Sequence, residues 1–77
     1  MPTDPLPARV LARRQAIGDH VRAARTERKL TQEKLGEMVD LDRKTISRIE
    51  NGSYATLIDH LILIADVLNV PLSDLVK

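Results

Sequence analysis

Arg43-Lys-Thr-Ile-Ser-Arg48 sets three cations and two hydroxyls around one isoleucine, and Ile49 follows directly. At about 100° per residue, a helix here gathers Arg43, Lys44, Ser47 and Arg48 on one sector and turns Ile46 and Ile49 to the opposite one. Such a face can donate to phosphate oxygens and to guanine O6 and N7 in the major groove of double-stranded DNA. A basic face is also what many solvated helices show, so the surrounding elements must decide the reading.

Other chemistry has little footing. The chain contains no cysteine, which excludes disulfides and thiolate metal sites. His20 and His60 lie far apart without ligand spacing, so no metal site is expected, and both are assigned to helix surfaces or a domain edge. No acid/base pair, Ser/His/Asp set or phosphate-cradling glycine loop is present. The sequence therefore does not read as an enzyme, and it implies no cofactor and no small-molecule substrate.

With 77 residues there is room for one domain. Tyr54 is the sole aromatic, so the core must come from Leu, Ile, Val, Ala and Met, which suits packed helices better than sheet. No apolar run reaches the roughly 18 residues of a membrane span. Met1–Pro7 carries three prolines and no apolar stretch of the signal-peptide kind. A cytoplasmic, nucleoid-associated protein is the expectation. Net charge is only +1, yet residues 1–30 hold seven Lys/Arg against three Asp/Glu, so the positive charge is concentrated towards one end.

The elements follow from local signals. Residues 1–7 read as a flexible arm and residues 8–77 as the domain. A first helix runs from Ala8 to about Arg28 with Val10, Ile17, Val21 and Ala24 as its apolar stripe, and Gly18 admits a break near Gln15–Gly18. Thr31 caps a second helix, with Glu33 in its first turn and Leu35, Met38 and Val39 as its apolar side. Asp40 can adopt the unusual backbone angle of a tight turn. Asp42 caps a third helix, Arg43 to about Glu50, which Asn51-Gly52 stops. Thr56 and Asp59 read as a capping box opening a fourth helix, Leu57 to about Leu68, with Leu57, Leu61, Ile64 and Leu68 turned inward. Pro71 starts a last short turn of helix. The expected fold is all-α: a compact five-helix bundle containing a helix-turn-helix.

Leu30-Thr-Gln-Glu-Lys-Leu35, Ile46-Ser-Arg-Ile-Glu-Asn-Gly52 and Ile64-Ala-Asp-Val-Leu-Asn-Val70 together resemble the lambda repressor/Cro-type (Xre-like) helix-turn-helix DNA-binding domain, over roughly Ile17 to Leu75. The resemblance implies that Arg43, Lys44, Ser47 and Arg48 occupy base-reading positions, and that Gln32 contacts phosphate or a base edge. It further implies that Asn51 and Tyr54 meet backbone phosphate. Arg25 and Glu50 match a buried ion pair that ties the first helix to the recognition helix. Three departures stand out: Asp40 where glycine is usual, Gly36 where alanine is usual, and Thr56-Leu57 where Ser and Pro are common.

These features point to a sequence-specific transcriptional regulator, a repressor acting as a homodimer on two half-sites. The alternative is a protein-interaction module such as an antitoxin or a coactivator-like protein. Leu63 and Val67, with Leu75 and Val76, form the candidate dimer face. Packing of Leu63 under the N-terminal extension is the competing explanation.

Overall fold

The computed structural model describes residues 6–53 and 55–77. Among these residues there are five helices in chain order: α1 (Ala8–Glu27), α2 (Gln32–Val39), α3 (Arg43–Glu50), α4 (Ile58–Leu68) and α5 (Leu72–Val76). Among the described residues there is no strand, and no helix is long and apolar enough to cross a membrane. The first five residues of the expected arm lie outside the described residues.

Two helix starts use the local chemistry of their caps. The Thr31 hydroxyl accepts the Lys34 backbone N–H at 3.0 Å, and Asp42 Oδ1 accepts that of Thr45 at 2.7 Å. The fourth helix departs from expectation. It begins at Ile58 with Leu57 in the cap position and no side-chain cap bond, so Thr56 and Asp59 do not form the capping box. Thr56 lies one residue too early for its hydroxyl to serve as the cap. Leu57 is consequently 59% exposed instead of joining the inward stripe.

The first four helices end alike. Leu30 N–H donates to Arg25 O, Leu41 to Gly36 O, Ser53 to Arg48 O and Val70 to Ala65 O, each bond spanning five residues. Each closure needs one left-handed residue, and Lys29 (φ 58°), Asp40 (φ 59°), Gly52 (φ 69°) and Asn69 (φ 55°) supply them. Of the pair Asn51-Gly52, only Gly52 is left-handed; Asn51 remains right-handed.

The core consists of Val21, Leu35, Val39, Ile46, Ile49, Leu61, Ile64, Ala65, Leu68 and Leu75, with Ile17, Ala24, Leu30 and Leu41 packed against it. Met38, expected on the apolar side of α2, is 43% exposed. The break that Gly18 would admit near Gln15–Gly18 does not occur. A Cβ on Gly18 would lie 2.5 Å from the carbonyl oxygens of both Ile49 and Glu50, so glycine is there to let the end of α3 lie against an unbroken α1. That contact depends on tertiary packing, which no local signal reports.

The dimer-face expectation also needs correction. Leu75 is 1% exposed and belongs to the core, because α5 folds back between α1 and α4. Val67 and Val76 are half-buried against the same core. Of the four residues, only Leu63 is a large hydrophobic side chain exposed to solvent, at 44%.

Candidate nucleic-acid interface

What lifts α3 into view is how it is held. Ile46 and Ile49 plug into the core, fixing one side of an eight-residue helix and leaving the other outside. The turn before it depends on two residues. Asp40 takes the left-handed conformation, and Gly36 leaves room for the Leu41 carbonyl, which a Cβ at that position would overlap. Glycine at position 36 is thus demanded by this turn, and an alanine there would have to displace backbone.

Arg43, Lys44 and Arg48 are all exposed on the outer side of α3. Among the described residues, none of the three makes a side-chain hydrogen bond or ion pair. Ser47 is half-buried beside them, and its hydroxyl accepts from Asn51 Nδ2 at 3.4 Å. Asp42, at the head of the helix, stays ionised. Hydrogen bonds from Thr45, side chain and then backbone, hold its carboxyl below the usual value, and the charges of Arg48 and Lys44 act in the same sense.

The other end of α3 is built around one carboxylate. Glu50 is fully buried, and Arg25 grips it with two bonds, Nε to Oε2 at 2.7 Å and Nη2 to Oε1 at 2.9 Å. Gln32 Nε2 adds a third at 3.1 Å, and Arg22 Nε reaches Oε1 at 3.4 Å. Arg25 also donates to Leu30 O at 2.7 Å, pinning the end of α1. Burial alone would push the Glu50 carboxyl up. The bonds from Arg25, Gln32 and Arg22, with the Arg25 charge, outweigh it and hold the group below its ordinary value.

The candidate residues therefore divide. Arg43, Lys44, Ser47 and Arg48 come together on α3. Gln32 sits at the start of α2 with its amide nitrogen turned to Glu50, joining the ion-pair cluster in place of the exposed cationic face. Asn51 is exposed at the end of α3, where its Oδ1 accepts from Arg22 Nη2 at 2.9 Å. Tyr54 lies outside the described residues. Arg22, three residues before Arg25 on the same face of α1, joins this cluster without a sequence signal that separates it from the other cations of the helix.

The histidines are half-buried, more enclosed than the surface placement expected of them. His20 Nδ1 is 3.1 Å from Leu75 O on α5, whereas His60 Nδ1 is buried without a partner among the described residues. No group of three His, Cys, Asp or Glu among the described residues is arranged to hold a metal ion.

Comparison with known proteins is consistent with this geometry. The helix-turn-helix family model matches residues 21–75. With the restriction-modification controller protein C.AhdI from Aeromonas hydrophila the chain shares 26% identity over 84% of its own length and 94% of that protein, at a TM-score of 0.80. With the P22 c2 repressor, whose structure was solved in complex with synthetic operator 9T in the presence of Tl+, it shares 28% identity over 82% of its own length and 96% of that chain, at 0.76. The hypothetical transcription factor NHTF from Neisseria has the same fold, at a TM-score of 0.82 and 22% identity over 100% of this chain and 87% of its own. Among curated proteins, none is similar enough in sequence to count as a match.

Proposed function

The chain belongs to the helix-turn-helix family, in its lambda repressor/Cro-type branch, and on that premise we propose that it is a sequence-specific DNA-binding regulator of transcription whose α3 enters the major groove. The observation that carries this reading is the exposed row Arg43, Lys44 and Arg48, which spends none of its donors on the described residues while Ile46 and Ile49 anchor the helix beneath it. Arginine and lysine donors aligned in this way complement guanine O6 and N7, and Ser47 complements several base edges. The likeness to the P22 c2 repressor, a protein solved with an operator, supports the same reading.

In this reading the protein acts as a repressor, by occupying an operator. It binds as a homodimer, because one domain of this size covers a single half-site. The dimer surface is assigned to the start of α4. Leu57, Ile58, Ile62 and Leu63 are 59%, 55%, 42% and 44% exposed, and they place four large apolar side chains in one short stretch. Ile58→Lys with Ile62→Lys should convert a dimer to a monomer in sedimentation. A dimer that survives both changes removes this assignment.

The deciding experiment is selection from a randomised duplex pool. A reproducible motif with two related half-sites is the expected outcome. Absence of any selectivity would transfer the reading to a protein-interaction module of the antitoxin or coactivator-like kind, whose partner would take the apolar stretch on α4.

A further inference from the structure

Between α1, the loop after α3 and the start of α4 lies a cleft of about 220 Å3 that opens to solvent. Ile17, Ile49, Ala55 and Leu61 give it an apolar lining, and Arg14 and Thr56 add its polar groups. Arg14 is half-buried there, and among the described residues it makes no hydrogen bond or ion pair. A guanidinium on an apolar cleft without a counter-ion suits an occupant that carries a carboxylate beside an apolar group. A cavity of roughly 150 Å3 already accepts a benzene molecule, so this one has room for a leucine side chain.

The far flank of α4 carries such a pair. At about 100° per residue, Ile58 and Ile62 lie only about 40° apart and form the exposed ridge of this helix. Leu61, which lines the cleft, lies to one side of that ridge. Asp59 and Leu63, again about 40° apart, lie to the other. Leu63 is 44% exposed, and Asp59 is exposed without an ion pair among the described residues. Within one copy the body of α4 stands between this pair and the cleft.

A second copy removes that obstacle. A two-fold contact sets one surface against itself, so a feature on one flank meets whatever the axis brings opposite. With the axis running along α4 the flanks exchange, and the leucine and acid of each copy face the cleft of the other. With the axis across α4, cleft meets cleft and acid meets acid, which like charge disfavours.

We propose that Leu63 of a second copy fills this cleft while its Asp59 carboxylate accepts from Arg14, the contact occurring twice about a two-fold axis along α4. The proposal rests on the homodimer reading and deepens it. It names the groups that pair, brings α1 into the interface, and sets the two α4 helices parallel.

The test is sedimentation equilibrium of the full chain. Arg14→Glu and Asp59→Lys each oppose like charges twice per dimer, so each should weaken self-association on the order of tenfold. An equimolar mixture of the two variants should recover the association of the wild type, because in the mixed dimer both contacts again join opposite charges. Asp66→Lys, on the same flank but about 10 Å further along the helix, should gain nothing from mixing with Arg14→Glu. If Arg14→Glu does not fold, Arg14→Gln and Asp59→Asn replace it. Combined in one chain, these two neutral changes should lose no more than either alone.

Variants that dimerise like the wild type, losses that persist in the mixture, or losses that add in the neutral pair would overturn the cleft contact and leave a dimer through Ile58 and Ile62 standing. A wild-type chain that stays monomeric at every concentration would remove the homodimer reading itself, and this contact with it.

Discussion

At the N-terminal end of α3, Arg43 and Lys44 stand exposed with no side-chain partner among the described residues, whereas at its C-terminal end a fully buried Glu50 collects donors from Arg25, Arg22 and Gln32. The two ends of an eight-residue helix thus use charge for opposite purposes. A polar group surrounded by protein partners fixes geometry and has little left for a ligand. One without partners adds little to folding and is available to bind. Stability and recognition are therefore separable within a single helix, and mutations at its two ends should fall into different classes.

The largest effect is expected at the buried end. Glu50→Ala leaves Arg25 enclosed without its counter-ion and should cost on the order of 3 kcal/mol, measured by urea denaturation. A loss below half of that would mean that the pair contributes as an exposed one does, and the contrast between the ends would disappear. The same carboxylate gives a pH signature. Its folded value is lowered, so its contribution is complete above the unfolded value of about 4.3 and is lost as pH falls through the folded one. Stability should drop in that acid range, and Glu50→Gln should flatten the drop.

The exposed cationic face, from Arg43 and Lys44 to Arg48 in the last turn, should respond in binding instead. Arg43→Ala and Arg48→Ala should each relax base preference at a defined position by about 1–3 kcal/mol, while changing unfolding free energy by no more than about 0.5 kcal/mol. If both variants retain the selected motif, the reading face has been misassigned. If either unfolds the protein, the cation has a structural partner and the two ends are alike.

How much of this was legible in the sequence depends on the range of the interaction responsible. Thr31, Asp42 and Asp40 act on backbone groups within a few residues, so their caps and turn could be inferred from residue type and spacing. The cationic sector of α3 was legible for the same reason, since one helical period fixes it. The role of Gly18 was not legible because it is set by the carbonyls of Ile49 and Glu50, which are distant in sequence. Leu75 was misplaced because its burial depends on α5 folding back against α1 and α4. The second guanidinium at Glu50 went unread although Arg22 lies one helical turn from Arg25, because a helix-face periodicity does not say which of two neighbouring cations turns inward.

The smallest effects lie in the two turns that flank α2. Lys29 and Asp40 both hold the left-handed conformation that closes a helix, at φ 58° and 59°. A non-glycine residue there is strained, while glycine loses more backbone entropy on folding, so the two costs partly cancel. Lys29→Gly and Asp40→Gly should therefore give similar small gains, within about 1 kcal/mol in chemical denaturation. They should part in binding. Asp40 is an exposed acid three residues before Arg43, and its removal should strengthen all duplexes alike, most at low salt, where screening is weakest. Loss of the Lys29 charge, in the turn before α2, should not strengthen them. If both glycine variants bind like the wild type at low salt, the acid in the turn lies outside the field felt by DNA, and the recognition surface begins at Arg43 rather than before it.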